Sequence, residues 1–193
     1  WLYGPAGTGK STFSELLATV LGDMAAVVDP KHLSANASRE RLGAVIWGKR
    51  SVICTEAGNQ RLDAEVLKTL SGADRLAVRL LFGEAFTSRP SHVLLMVAND
   101  APRMDAYDDA LKDRVLAIPF NHPLEVGDPL LGGEKVEKVR QDPSSPLVHG
   151  FTAWAVEGLT RIHANQGNEI HRAAVCRAAT HEFWQDVDPL NEF

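Results

Sequence analysis

Cysteine is scarce in this sequence: of 193 residues only Cys54, inside an apolar run, and Cys176, inside a helical pattern, are thiols. That number is too small for a disulfide framework or a thiolate metal site, and it suits a reducing compartment. The seven histidines show no metal-ligand spacing. No apolar stretch approaches the ~20 residues a bilayer crossing needs, and no signal-peptide pattern is visible, so a soluble cytoplasmic protein with no membrane partner is expected. Basic charge is also limited, with 20 Lys and Arg against 25 Asp and Glu and a net charge of −5. A wholesale basic nucleic-acid module is thereby excluded, and any DNA contact must be local. Internal repeats and low-complexity tracts are absent. So is an initiating methionine. The sequence opens on Trp1 and its first motif begins at Gly4, which predicts a fragment of a longer protein whose first strand is cut short.

What is present is ordinary globular material, 45% hydrophobic and 23% charged, enough for one sizeable core. Trp1–Tyr3 has the character of a strand end, followed by a glycine-rich turn and then Phe13, Leu16, Leu17 and Val20 at helical spacing. A short strand is predicted at Ala26–Val28, a helix over Arg39–Trp47, a buried strand over Ser51–Thr55 and a helix over Leu62–Leu70. Two β-rich runs, Leu76–Phe82 and His92–Ala98, flank a polar tip with Gly83 and Pro90, which predicts a long hairpin. A short helix over Asp108–Arg114 leads to a last strand, Val115–Ile118, stopped by Pro119. Residues 121–147, with Pro123, Pro129, Pro143 and Pro146, are expected to be a surface excursion. Beyond them, two amphipathic patterns, Val148 to Ile162 and Cys176 to Val187, predict a helical appendage over 148–193. The α/β core then spans 1–120.

The run Gly4-Pro5-Ala6-Gly7-Thr8-Gly9-Lys10-Ser11-Thr12 satisfies G-x-x-x-x-G-K-[ST] between a strand and a helix. Glycines in such a loop let backbone N–H groups face phosphate oxygens, and the helix N-terminus adds its positive end. Lys10 is then assigned to the β- and γ-phosphates of ATP and the Ser11 hydroxyl to Mg²⁺. This loop is shared by motors, switches and small-molecule kinases, so the rest of the chain must choose among them.

Glu56 closes the apolar strand Val52–Thr55, at the strand edge where α/β sheets hold ligands. A carboxylate there can polarise the water that attacks the γ-phosphate, and it is a second candidate ligand for Mg²⁺; a solvated strand-end acid is the bland alternative. Asn99 ends the next apolar strand and can orient the same water, or simply start a turn. Arg114 can stabilise charge on the transferring phosphate, or pair with Asp108, Asp109 or Asp113. Lys68, Arg75, Arg79 and Arg89 surround the expected hairpin, with Phe86 near its tip, a composition that suits single-stranded DNA through phosphate contacts and stacking.

The order of these elements resembles the motor domain of superfamily 3 helicases, in particular the phage and plasmid primase-helicase branch. Trp1–Thr12 is similar to that family's phosphate loop, and Gly48-Lys49-Arg50 with Ser51–Glu56 to its second acidic motif. Lys68–Asp74 resembles its K-x-[LI]-[TS]-G-G-D element, and Arg79–Gly83 the start of its DNA-contacting hairpin. Asn99 with Pro102 resembles its sensor motif, and Leu111–Arg114 with Ile118-Pro119-Phe120 its arginine-finger segment. Trp154–Leu159 and Asp188-Pro189-Leu190 are similar to the helices that follow the motor. Thr55 stands where viral members often carry a second acid, and Ala73 replaces the second glycine of G-G-D.

The resemblance implies a P-loop NTPase of AAA+ type: a five-stranded, mostly parallel sheet flanked by helices, with a β-hairpin insertion and the C-terminal helices. It also implies a hexameric ring that hydrolyses ATP between neighbours and moves 3′ to 5′ along single-stranded or forked DNA in a bacterial host cytoplasm. A primase or origin-binding domain would lie elsewhere in the chain. Two alternatives stand beside the helicase, an AAA+ remodeller or loader without unwinding activity and a small-molecule kinase.

Overall fold

The computed structural model describes residues 1–59, 61–72, 75–80, 82–104, 109–123, 141–164 and 173–187. Its centre is a five-stranded sheet in the order β2-β3-β7-β1-β9, formed by β1 (Leu2–Tyr3), β2 (Ala25–Val28), β3 (Ser51–Cys54), β7 (Val93–Ala98) and β9 (Ile118–Pro119). Every pairing within it is parallel, so all five strands end at one edge. The register sets Tyr3 beside Ala98 and Pro119, and Cys54 beside Met96.

Parallel strands need crossovers, and the helices supply them. Helix α1 (Lys10–Leu21) packs across β2, β3 and β7, α2 (Arg39–Ile46) carries a separate hairpin, and α3 (Ala64–Ser71) lies against β7 and the short α4 (Asp109–Lys112). Local chemistry starts these helices where they start. Asp63 accepts from the Val66 N–H at 3.0 Å and caps α3, while Ser38 caps α2 through the Arg41 N–H. Strand alternation divides the buried residues between two faces. Val52, Cys54, Met96 and Ala98 join Leu67, Leu70 and Leu42 in one core cluster, whereas Ile53 and Val97, equally buried, lie outside it.

The two C-terminal helices are α5 (Pro146–Ala164) and α6 (Ala174–Val187). They are used differently. Helix α5 runs along α1 and is largely exposed, whereas α6 packs on β9 and sends Ala179, Phe183, Trp184 and Val187 into the main core. Phe183 is fully buried, with its ring 5.0 Å from Trp1 and 5.6 Å from Tyr3. The Tyr3 hydroxyl donates to Asp186 Oδ2 at 2.7 Å, and burial together with that carboxylate pushes the phenol well above its usual pKa. Phe183→Ala is therefore expected to destabilise the whole α/β core by about 3–5 kcal/mol, read as a shift of one cooperative urea transition. Two separate transitions, with the first alone shifted, would show that α6 is not part of that core.

The hairpin is present, but its second arm differs from the expectation. Strand β5 (Leu76–Arg79) pairs antiparallel with β6 (Ala85–Ser88), matching Leu76 to Ser88 and Arg79 to Ala85. The run expected to be that arm, His92–Ala98, forms β7 of the central sheet instead. Its continuous apolar character is that of a strand buried on both faces rather than of a protruding ribbon. The hairpin lies tightly on α2: a Cβ on Gly43 would stand 2.3 Å from the Ala77 carbonyl oxygen. A further two-stranded parallel sheet, β4 (Arg61–Leu62) with β8 (Arg103–Met104), was not anticipated. Pro119, expected to stop the last strand, is within it. Ala73, Asp74, Leu81, Asp108, most of the expected excursion at 121–147 and Asp188-Pro189-Leu190 lie outside the described residues.

Candidate nucleotide site and hairpin

Three loops leave the same sheet edge side by side. The first follows β1. Gly4 has φ 142° and a Cβ there would meet the Phe120 carbonyl oxygen at 2.3 Å, so the loop must begin with glycine. Gly7 (φ 76°) and Gly9 (φ 87°) adopt left-handed conformations that turn the chain around a central space, and Gly9 is the N-cap of α1. That helix has no side-chain cap and no acid in its first turn, leaving its N–H groups and positive dipole end for an anion.

Lys10 fills the space. Its side chain is only 5% exposed, and its ammonium donates to the carbonyls of Gly4 at 2.7 Å and Pro5 at 2.6 Å and to Thr8 Oγ1 at 3.2 Å. Burial holds its pKa below the usual lysine value. Three donors of one ammonium thus brace the loop, and a polyphosphate offers them charged acceptors in place of neutral ones. Pro5 and Ala6 are exposed on the loop, Ser11 is exposed in the first turn of α1, and Thr12 follows it half-buried.

The second loop begins one residue after β3. Glu56 is exposed and has φ 59°, an uncommon conformation for a non-glycine residue that holds about 1 kcal/mol or more of strain. The next residue, Ala57, is fully buried and pins the turn. The third loop begins at exposed Asn99, directly after β7. Because β7 lies between β1 and β3, Asn99 stands between the glycine loop and Glu56. The second and third loops touch through their backbones: a Cβ on Gly58 would lie 2.6 Å from the Asp100 carbonyl oxygen, and β4 pairs with β8 just beyond. The sheet therefore brings together Lys10, Ser11, Glu56 and Asn99.

Arg114 is not part of that group. It lines a cleft with Val93 and Leu94, the first residues of β7, at the opposite edge of the sheet. There its Nη1 donates to the Lys68 carbonyl at 2.8 Å, at the end of α3, where a helix C-terminus favours a cation. The carbonyl is a partner that sequence spacing to nearby aspartates did not reveal.

The residues assigned to DNA are spread unevenly. Lys68 lies on α3 in an ion pair with Glu65. Arg75, Arg79 and Arg89 are exposed on or beside the hairpin. Phe86 is not at its tip; it lies in β6 with its ring 5.4 Å from Trp47 at 76°, which docks the hairpin on α2. The residue at the tip is Phe82, fully exposed at 100% with φ 61°. Sequence reading missed it because a Phe-Gly pair at the end of an apolar run resembles the last residue of a strand.

Among the described residues no group of three or more His, Cys, Asp or Glu could hold a metal ion alone, and no helix is long and apolar enough to cross a membrane. Ser11, in the first turn of α1, and Glu56, just after β3, nevertheless offer two exposed oxygen donors at the same sheet edge, on either side of the end of β7. That set fits Mg²⁺, which usually takes few protein ligands and fills its shell with phosphate oxygens and water.

The family described as a family of unknown function, DUF5906, matches residues 2–114, from β1 through Arg114. The chain belongs to DUF5906. The segment that defines the family therefore contains every catalytic candidate named above, while α5 and α6 lie beyond the match. No curated protein matches the chain. Among solved structures, this DUF5906 chain is similar to an A-form apo structure of the NrS-1 C-terminal region (305–718), with TM-score 0.52 and 18% identity over 72% of this chain and 32% of that one. Another apo structure of the same region gives TM-score 0.54 and 15% identity over 77% and 34%. At such identities the likeness is one of fold, and the chain spans about a third of the length of those structures.

Proposed function

We propose that this DUF5906 domain is the ATP-driven motor of a phage or plasmid replication protein, an AAA+-type helicase of superfamily 3 character. The observation that carries the reading is the convergence of the glycine loop, Glu56 and Asn99 at one edge of an all-parallel sheet, with the amide between the phosphate cradle and the acid. In this reading the N–H groups of the loop and Lys10 hold the triphosphate, Ser11 and Glu56 hold Mg²⁺, and Asn99 orients the attacking water. Mg²⁺ would neutralise charge on the phosphates. Glu56 would accept the water proton, and its strained, exposed position keeps the carboxylate at the strand end rather than in the core.

Arg114 lies at the far edge from its own Lys10, so it would serve a neighbouring subunit in a ring, in line with a homo-hexamer. The setting proposed for this motor is replication, with a primase or origin-binding domain elsewhere in the whole protein. The bacterial host cytoplasm is the setting this implies.

The hairpin favours DNA over a protein client or a small-molecule acceptor. Phe82 at its tip offers a fully exposed ring with Arg79 at the tip end of β5, while Arg75 and Arg89 flank the base of the hairpin, a combination suited to stacking bases and neutralising phosphates along its length. The test is ATP hydrolysis with and without single-stranded DNA, followed by unwinding of a forked duplex. Stimulation by DNA with unwinding supports the helicase; stimulation by nucleoside phosphates alone supports a kinase. DNA stimulation without unwinding supports a remodeller or loader. Phe82→Ala is expected to weaken single-strand binding by about 1–3 kcal/mol, measured by fluorescence anisotropy. Changing Arg79 and Arg89 together to Ala should flatten the salt dependence, because phosphate neutralisation sets that slope.

A further inference from the structure

We propose that an aromatic wall formed by Phe13, Phe120 and Trp154 seats the purine base of the nucleotide, with Trp154 as the stacking residue. This rests on the reading of the glycine loop as a triphosphate site and adds where the other end of the ligand goes. The terminal phosphate must face Glu56 and Asn99, which follow β3 and β7 on one side of β1. A nucleotide extended through the loop therefore leaves on the other side of β1, toward β9 and α5.

Aromatic rings stand there. Phe120 follows β9 directly, and its backbone lies against Gly4. Phe13, in the first turn of α1, meets the Phe120 ring edge-on at 6.1 Å and 70°, and the Trp154 ring at 6.1 Å and 84°. Phe151 supports both from behind, 5.3 Å from Phe13 and 5.5 Å from Trp154. The three phenyl rings are half-buried. Here the indole, the largest ring of the four, is 60% exposed.

An indole held on one side by phenyl rings and free on the other, beside a phosphate cradle, suits a planar heteroaromatic ring. Offset stacking supplies the attraction. The three rings present no hydrogen-bonding pattern to the base except the indole N–H, so they favour purines over pyrimidines by contact area and separate adenine from guanine weakly. Phe120 and Trp154 lie outside the DUF5906 match, whereas Phe13 lies within it beside the glycine loop.

The experiment titrates a non-hydrolysable ATP analogue and inorganic tripolyphosphate against the unmodified chain, Trp154→Ala and Trp154→Phe. The analogue is expected to bind Trp154→Ala about tenfold more weakly, within the range for loss of one base stack. Tripolyphosphate affinity should stay unchanged, and Trp154→Phe should recover most of the analogue's affinity. The analogue should quench tryptophan fluorescence of the unmodified chain more than that of Trp154→Phe. Equal weakening of both ligands in Trp154→Ala, or weakening of neither, overturns the base seat and leaves the phosphate site standing. Failure of both ligands to bind the unmodified chain overturns the phosphate site, and the base seat with it.

Discussion

Lys10→Ala is expected to reduce triphosphate affinity by roughly 30-fold to several thousand-fold, the range for removing one partner of a desolvated, hydrogen-bonded charge pair. Titration with a fluorescent ATP analogue checks it. The ammonium is already desolvated and directed inward, with carbonyl acceptors at 2.7 and 2.6 Å, so little reorganisation is needed before it meets a phosphate. The same geometry gives Lys10 a structural duty, because it ties Gly4, Pro5 and Thr8 together. Lys10→Arg separates the two. If charge within the loop were sufficient, the guanidinium would retain most of the binding. If the compact ammonium in a closed loop is required, Arg fails almost as completely as Ala, and that is the expectation for a side chain this buried. Normal hydrolysis by Lys10→Ala would remove the glycine loop from any phosphate chemistry.

The glycine loop was legible in the sequence because its backbone conformations can hardly be met by other residues. Gly4, Gly7 and Gly9 all have positive φ, and Gly4 has no room for a side chain. Glu56 and Asn99 were legible for a different reason, as the first polar residues after continuous apolar runs that can only be buried strands. What periodicity could not show is the pairing between distant segments. Strands β5 and β6 are joined by a turn, but β6 reads Ala-Phe-Thr-Ser, too polar to announce itself, and the stronger apolar run at Val93–Ala98 took its place in the prediction. Two-residue strands such as β4 and β8 carry no period at all, since their pairing depends on loops separated by about forty residues. The displacement of Phe86 from the tip and the emergence of Phe82 both follow from that one misplaced arm. Helix α6 shows a related limit. Its amphipathic pattern predicted a helix correctly but did not say that Phe183 would be buried against Trp1 and Tyr3 of the central sheet.

Arg114→Ala is expected to keep nucleotide binding and lose about 10³- to 10⁵-fold in turnover, the usual effect of deleting an arginine that completes a phosphoryl-transfer site from a neighbouring subunit. Such a loss corresponds to roughly 4–7 kcal/mol of transition-state stabilisation. The role the structure gives Arg114 within its own subunit is far smaller. Its guanidinium is exposed and donates to the Lys68 carbonyl, a hydrogen bond worth about 1 kcal/mol to stability. A purely structural arginine would therefore lower the melting temperature slightly and leave the rate nearly intact. The measurement is a steady-state ATPase assay beside a thermal melt. Arg114→Lys sharpens it, since an ammonium can still donate to the Lys68 carbonyl but lacks the planar fork that grips two phosphate oxygens. It should restore the melt without restoring the rate. Position then decides whose phosphate is served. Lys10 and Arg114 lie at opposite edges of one sheet, so mixing Arg114→Ala with Lys10→Ala chains should create some interfaces where an intact loop faces an intact arginine, and part of the activity should return. Demonstrably mixed assemblies that stay inactive, or a rate per chain independent of concentration across the assembly range, would return Arg114 to the end of α3 as a capping side chain and no more.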